Sequence, residues 1–427
     1  MNPMTRAPGF WFGFKKGLLV LTFCVPSLTI VRGVTARVNK TAGGWQLFVE
    51  GQPTFVKGVC YNPFLFGENP HEGTGRDWMT VDDDKDGRSD FAYQTWIDVN
   101  GNGRQDSGER PQGDFALLHS LGCNVIRLYH HASANTKVQK RLEKTPAALL
   151  YNHPPEKKVL RSLWAKYGIL VGMGDLLGAY TVGSGATWET GTDYTDARQR
   201  AAMLESVEDM VLEHKDEPYL LLWILGNENE YGDLTRTNAG SVPEEYAKFL
   251  GTVARRIHAL DPHHPVCVAL GETTILNAIA RHAPDVDIIG INSYRHPGFG
   301  SLWNEVAQTC DRPVLLTEYG LLCPPFSEGR FFDEQAQADM HMKDWEDIRA
   351  HGAGARAPQN SIGGFAYEWS DSWWLEGRPA LQDTTGEPCS REWHGLVASI
   401  SAQGARLSRR LRPVYKRYQT VWSEPLP

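Results

Sequence analysis

The stretch Tyr219-Leu220-Leu221-Leu222-Trp223-Ile224-Leu225-Gly226-Asn227-Glu228 decides the fold. Seven apolar residues closed by a glycine predict a strand buried on both faces, as in a parallel sheet. The run then turns polar at once. A carboxylate placed where such a strand emerges stands at the C-terminal rim of the sheet, where barrel enzymes carry out their chemistry. A second stretch, Pro313-Val314-Leu315-Leu316-Thr317-Glu318-Tyr319-Gly320, repeats the pattern. Two glutamates, each ending its own buried strand, are what acid/base and nucleophilic chemistry on a glycosidic bond requires.

Working outward, strand-like runs occupy residues 55–61, 123–129, 169–173, 219–225, 266–270, 286–292, 313–318 and 362–369. Helical spacing fills most of the intervals, over 113–121, 148–167, 195–214, 243–260, 274–282, 302–309 and 333–351. Eight such units predict a closed (β/α)8 TIM barrel rather than an open doubly wound sheet. No glycine-rich phosphate loop follows the first strand, which counts against a dinucleotide fold. Residues 37–55, with Gly43-Gly44 and Gly51-Gln52-Pro53, predict a short N-terminal hairpin that plugs or precedes the barrel. Residues 64–112 form a polar insertion after the first strand.

The chain has 427 residues, 41% hydrophobic, enough for one barrel with insertions within 37–427. A formal charge of -8 argues against a nucleic-acid partner. Lys15 and Lys16, the apolar stretch 17–31 and the small residues near 34–36 match a secretory signal peptide over 1–36. The apolar stretch is short for a membrane span. Residues 37–427 are therefore expected to be secreted or periplasmic, with no stable membrane insertion once the signal is removed; an uncleaved anchor is the rival. Beyond Cys24, six cysteines remain. Cys60, Cys123 and Cys267 sit in or beside strand-like runs, where free buried thiols are common. Cys323 and Cys389 lie in loop-like sequence and are a candidate disulfide pair.

Glu228 ends the fourth strand and Glu318 the seventh, which face each other across the mouth of an eight-stranded ring. A retaining glycosidase needs the two carboxyls roughly 5–5.5 Å apart, one protonated and one ionised. Arg127, ending strand two, is a cation placed to keep Glu318 ionised, and Tyr294 a donor to the same group. Asn227 is positioned for a substrate hydroxyl. Trp369 is expected to floor the sugar site, and Trp373 and Trp374 to form further platforms. His130, His131 and Asp175, also at strand ends, either contact sugar or fill ordinary core and surface roles. The duplicated Asn227-Glu228-Asn229-Glu230 leaves Glu230 as an alternative acid; Trp223 and Gly226 set the register in favour of Glu228.

Four motifs carry a resemblance: Trp223 with Gly226-Asn227-Glu228, Asn292-Ser293-Tyr294, Thr317-Glu318-Tyr319-Gly320 and Tyr367-Glu368-Trp369. Together, in this order, they resemble the glycoside hydrolase clan A barrels. Residues 49–62 and the seventh-strand motif are similar to the catalytic domain of glycoside hydrolase family 2. The runs 290–294, 363–369 and 395–397 also resemble the 1,3-β-glucanosyltransferases. The likeness covers about 45–425 and implies retention of configuration, with Glu228 as acid/base and Glu318 as nucleophile. No β-sandwich domain of the kind that precedes the barrel in family 2 is expected within 37–427, so substrate selection is not expected simply to follow that family.

Within the insertion, residues 98–109 fit a calcium loop. Oxygen ligands fall at positions one, three, five, nine and twelve, on Asp98, Asn100, Asn102, Asp106 and Glu109. Gly103 takes the turn, and the Arg104 carbonyl serves at seven. Asp82, Asp84, Asp86 and Asp90 begin a poorer second copy, with Tyr93 where the bidentate glutamate belongs. Flanking helices are lacking, so a structural Ca2+ staple is expected, with no cofactor for catalysis.

The expectation is a retaining glycosidase acting on β-linked poly- or oligosaccharides. The alternatives are a β-glucan transglycosylase and a catalytically inactive, calcium-dependent carbohydrate-binding protein.

Overall fold

A computed structural model of the chain describes residues 33–424 apart from 65, 70–77, 80, 83, 132–156, 296, 321–332, 376–377, 379–380, 383–390 and 401–407. The leader expected at 1–36, the expected helix 148–167 up to residue 156, and the Cys323 and Cys389 pair therefore fall wholly or mainly outside the described residues. Among the described residues no helix is long and apolar enough to cross a membrane.

Three short strands, β1 (Ala36–Thr41), β2 (Gly44–Val49) and β3 (Gln52–Thr54), form an antiparallel sheet, one strand more than the expected hairpin. The expected leader boundary falls on Ala36, its first paired residue. Eight parallel strands then close a barrel: β4 (Val56–Cys60), β6 (Val125–Leu128), β7 (Leu170–Asp175), β8 (Leu220–Leu225), β9 (Val266–Leu270), β10 (Ile288–Ser293), β11 (Val314–Tyr319) and β12 (Ser361–Ala366). The last closes on the first through the pairs Gly363 with Val56 and Ala366 with Val59. These are the eight runs read from the sequence.

The apolar runs are continuous because each strand has two dry faces. Inward, Val56, Cys60, Val125, Leu222, Ile224, Cys267, Leu315 and Phe365 fill the ring, with Ala36 and Leu47 of the small sheet packed beneath them. A Cβ on Gly58 would stand 2.3 Å from the Phe365 ring, so glycine is required where that ring crosses the barrel. Outward, the alternate strand residues meet the helices Ala197–His214, Pro243–Leu260, Leu302–Thr309 and Glu334–Ala350. Cys60, Cys123, Cys267 and Cys310 are free thiols, the first three buried.

The C-terminal segment carries elements that the sequence reading did not name. Strands β13 (Val397–Ile400) and β14 (Ser408–Leu411) pair with each other, and β14 pairs with β5 (Trp96–Ile97) of the insertion. The helix Pro413–Ser423 then packs on Glu334–Ala350 and on Asp114–Leu121. Two buried ion pairs fasten this segment. Arg409 holds both oxygens of Asp114 at 3.1 and 2.8 Å, and Arg412 holds both of Asp371 at 2.7 Å. All four side chains are inaccessible to solvent. Removing one member of such a pair leaves a buried charge without its counterion. Arg409→Ala is therefore expected to lower stability by about 3–5 kcal/mol, read as a shift in the urea midpoint.

Candidate active site

Each strand of the ring delivers alternate residues to one face, so positions two apart point the same way. On β6 and just beyond it, Arg127 and Tyr129 both reach Glu318. The Arg127 guanidinium donates to Oε1 at 3.1 Å and the Tyr129 hydroxyl to the same oxygen at 2.7 Å. Tyr294, just past β10, donates to Oε2 at 2.8 Å. Burial and the neighbouring carboxylate push the Tyr294 phenol well above its ordinary range, which keeps it a donor. Arg127 also donates to the Thr317 carbonyl at 2.8 Å, to Asn292 at 3.2 Å and to Asn227 at 2.8 Å, so its charge is committed.

Glu228 lies in the turn after β8. Gly226 makes that turn possible: its φ is 77°, and a Cβ there would meet the Asn229 amide oxygen at 2.5 Å. Asn229 is the brace of the turn. It accepts from the Asn227 N–H at 2.7 Å and donates to Leu176, Leu177 and Tyr194. Glu228 itself has φ 56°, a left-handed conformation that costs a non-glycine residue of order 1 kcal/mol and that gathers at functional sites. Its backbone N–H is held by the Ala269 carbonyl at 3.0 Å. Among the described residues the side chain receives one hydrogen bond, from Asn292 at 3.0 Å. Burial first, and then the charge of Glu318, push its carboxyl up to about 8, against the pull of Asn292.

Both glutamates line one cavity of about 180 Å³, together with Asn62, Tyr129, Tyr180, Asn227, Tyr294, Tyr367, Glu368, Trp374 and His394. Two glutamates meeting in this cavity, one receiving three donors and the other pushed toward its neutral form, can supply attack and proton transfer at one anomeric carbon. Glu230 takes a different place. Its Oε1 accepts from the Gly271 and Glu272 N–H groups at 2.7 and 2.9 Å, which caps the end of β9.

Trp369 does not floor the cavity. It is fully buried and packs against Tyr61 and Tyr415, between the barrel and the C-terminal helix. The chain leaves β12 along Cys60 and β13, bonded at both the Trp369 N–H and its carbonyl, and this turns the indole outward. The lining tryptophan is Trp374, set edge-on to Phe64; Trp373 packs on Phe66 beside the cavity. His130, His131 and Asp175 are buried in a knot beneath the rim. Asp175 accepts from Ser206 at 2.7 Å and the Leu177 N–H at 2.8 Å, and His130 accepts from the Leu176 N–H at 3.2 Å. None of the three lines the cavity.

Sequence reasoning missed Tyr129, Asn292, Glu368 and His394 as site residues, while Trp374, expected as a platform, lies on the cavity wall. Tyr129 was within reach, because it lies two residues beyond Arg127 on one strand. Asn292 was quoted in a motif, and its pairing opposite Glu318 across the β10–β11 ladder gives it its place. Glu368 was also quoted in a motif, but the irregular path of the chain after β12 gave no period that would place its side chain.

In the insertion, Asp98 accepts from the N–H groups of Gly101, Asn102 and Gly103, and Glu109 from those of Val99 and Asp106. The amides of Asn100 and Asn102 converge on Asp106 at 2.6 and 2.9 Å. Arg104 donates its N–H to the Asn102 side chain at 2.8 Å. Asp82, Asp84 and Asp86 cluster with ligand atoms within 4.8 Å of one another, while Asp90 opens the short helix Asp90–Tyr93 outside that group.

Residues 147–334 match the family model described as glycosyl hydrolases family 2, TIM barrel domain. A search of curated proteins finds no match. Among solved structures the chain is similar to a β-D-glucuronidase of Dictyoglomus thermophilum, with 16% identity over 92% of this chain and 54% of that one, at a TM-score of 0.51. It is similar to a family 2 β-galacturonidase of Eisenbergiella tayi bound to galacturonate, with 14% identity over 92% of this chain and 54% of that one, at a TM-score of 0.53. A β-glucuronidase of Bacteroides uniformis gives 16% identity over 92% of this chain and 38% of that one, at a TM-score of 0.54. This chain thus spans about half the length, or less, of these structures. The segment that carries both Glu228 and Glu318 matches the glycosyl hydrolase family 2 TIM barrel domain, and the eight parallel strands around it close a barrel of that kind.

Proposed function

We propose that this chain is a retaining β-glycosidase. Glu318 attacks the anomeric carbon while Glu228 protonates the departing glycosidic oxygen. Glu228, now ionised, then takes a proton from water, which attacks the same carbon and releases Glu318. The observation that carries the reading is the opposed treatment of two carboxyls in one cavity. Glu318 receives Arg127, Tyr129 and Tyr294, and Glu228 is half-buried with a single amide. The family 2 match and the uronide hydrolases among the structural neighbours agree with it.

The test is turnover of aryl β-glycosides combined with a slow 2-deoxy-2-fluoro glycoside. A stoichiometric glycosyl adduct mapped to Glu318 by peptide mass spectrometry is expected. An adduct elsewhere, or none on a chain that turns over, defeats the assignment.

We further propose that the protein is exported and that 98–109 holds Ca2+ through Asp98, Asn100, Asn102, the Arg104 carbonyl, Asp106 and Glu109, an all-oxygen donor set. The cluster of Asp82, Asp84 and Asp86 is a weaker second candidate for the same ion. Extracellular calcium is abundant enough to fill a weak structural loop. Chelation is expected to lower Tm by roughly 5 °C, with proteolysis appearing first inside the insertion. Equal melting curves with and without chelator would remove the ion from this proposal.

A further inference from the structure

The cavity holds a third carboxyl whose role the double-displacement chemistry leaves open. Glu368 follows β12 and lines the same cavity as Glu228 and Glu318. It is 5% exposed. Its Oε1 accepts from the Ser372 hydroxyl at 2.6 Å, and its backbone carbonyl is tied to the Leu396 N–H at 2.8 Å. Its Oε2 makes no hydrogen bond among the described residues. A side chain clamped at one oxygen and at its backbone, with the other oxygen free in a cavity, is set to meet a ligand.

The charge around it narrows what that ligand is. Three carboxyls line the cavity, and among the described residues that line it there is no lysine or arginine. The nearby guanidinium of Arg127 is already shared among Glu318, Thr317, Asn292 and Asn227. A sugar carboxylate entering here would be buried with no free cation to pair with it, which is unfavourable. A sugar hydroxyl meets a hydrogen-bonding oxygen instead.

Resting on the β-glycosidase reading above, we propose that Glu368 determines glycone specificity by presenting Oε2 to a hydroxyl of an uncharged sugar, so that the site takes neutral β-glycosides and rejects β-hexuronides. Burial, reinforced by Asp371 and Glu318 and opposed by Ser372, holds the Glu368 carboxyl well above the ordinary carboxylate range, which makes it a donor as well as an acceptor.

The experiment measures kcat/KM for p-nitrophenyl β-glycosides of glucose, galactose, mannose and xylose beside those of glucuronic and galacturonic acid. At least one neutral glycoside is expected to exceed both uronides by roughly 100-fold or more. Monodeoxy analogues of the best neutral substrate are then compared in wild type, Glu368→Gln and Glu368→Ala. In wild type one deoxy position is expected to cost roughly 10- to 100-fold in kcat/KM. That penalty is expected to persist in Glu368→Gln, whose amide still donates, and to vanish in Glu368→Ala, while penalties at the other positions remain. A residue acting only in packing would lower all of them alike. Uronides cleaved as fast as neutral glycosides, or unchanged deoxy penalties in Glu368→Ala, would overturn this inference and leave the glycosidase reading standing. No turnover of any glycoside and no adduct on Glu318 would overturn both.

Discussion

Glu318→Gln removes glycoside turnover, lowering kcat on the order of 10⁴-fold or more, because an amide cannot supply the attacking oxygen. The fold should survive the change. The glutamine oxygen can still accept from Arg127 and Tyr129, and the Tyr294 hydroxyl can rotate to accept from the new amide. A melting temperature close to wild type should therefore accompany the loss. Glu318→Gly opens space on the attacking side, and azide should then restore a slow reaction on an activated glycoside. The azide stands where the carboxylate stood, so the glycosyl azide formed has inverted configuration. Near-normal turnover in Glu318→Gln would end the double-displacement reading.

The second large effect belongs to Glu228→Gln, with a loss of about 10²–10⁴-fold that depends on the leaving group. A poor leaving group needs the proton; a dinitrophenolate does not, and its release should be nearly spared. Azide on Glu228→Gly attacks the glycosyl-enzyme from the opposite face, so its product keeps the β configuration. Stereochemistry thus separates the two glutamates. The pH profile separates them again. Glu228 acts as an acid only while protonated, so wild-type kcat/KM should fall as pH rises through about 8 and the variant should lack that limb.

Stability follows the same proton. The folded value lies above the unfolded one, so the folded state keeps a proton that the unfolded state releases. The resulting contribution is complete below the unfolded value of about 4.5 and is lost as pH rises through about 8. Glu228→Gln should therefore gain in Tm over wild type at pH 9 and not at pH 4.

The barrel was legible because its evidence is local and repeated. Eight continuous apolar runs became eight strands, and the boundaries of helices such as Pro243–Leu260 and Leu302–Thr309 were read to the residue. Glu228 and Glu318 were legible because a polar residue ending a two-sided strand has few places to go. The aromatic residues were legible only in part. Trp369, Trp373 and Trp374 are neighbours in sequence, yet one faces the C-terminal helix, one Phe66 and one the cavity. No period governs an irregular segment, so composition could not sort them. The pairing of β14 with β5 joins residues some three hundred positions apart, and neither partner carries a marker for the other. Arg409 and Arg412 would read as surface cations in any window, and their burial depends on Asp114 and Asp371.

Closure of the ring through β4 and β12 also bears on how the chain is made. While the ribosome is still extending the polypeptide, the first and latest strands of the growing sheet each present an unsatisfied ladder. Such edges recruit other chains. They cannot satisfy each other until residues 361–366 have left the exit tunnel. Aggregation during synthesis should therefore be concentrated late in translation, and slowing elongation upstream of that point should lengthen the exposed interval rather than help the protein fold.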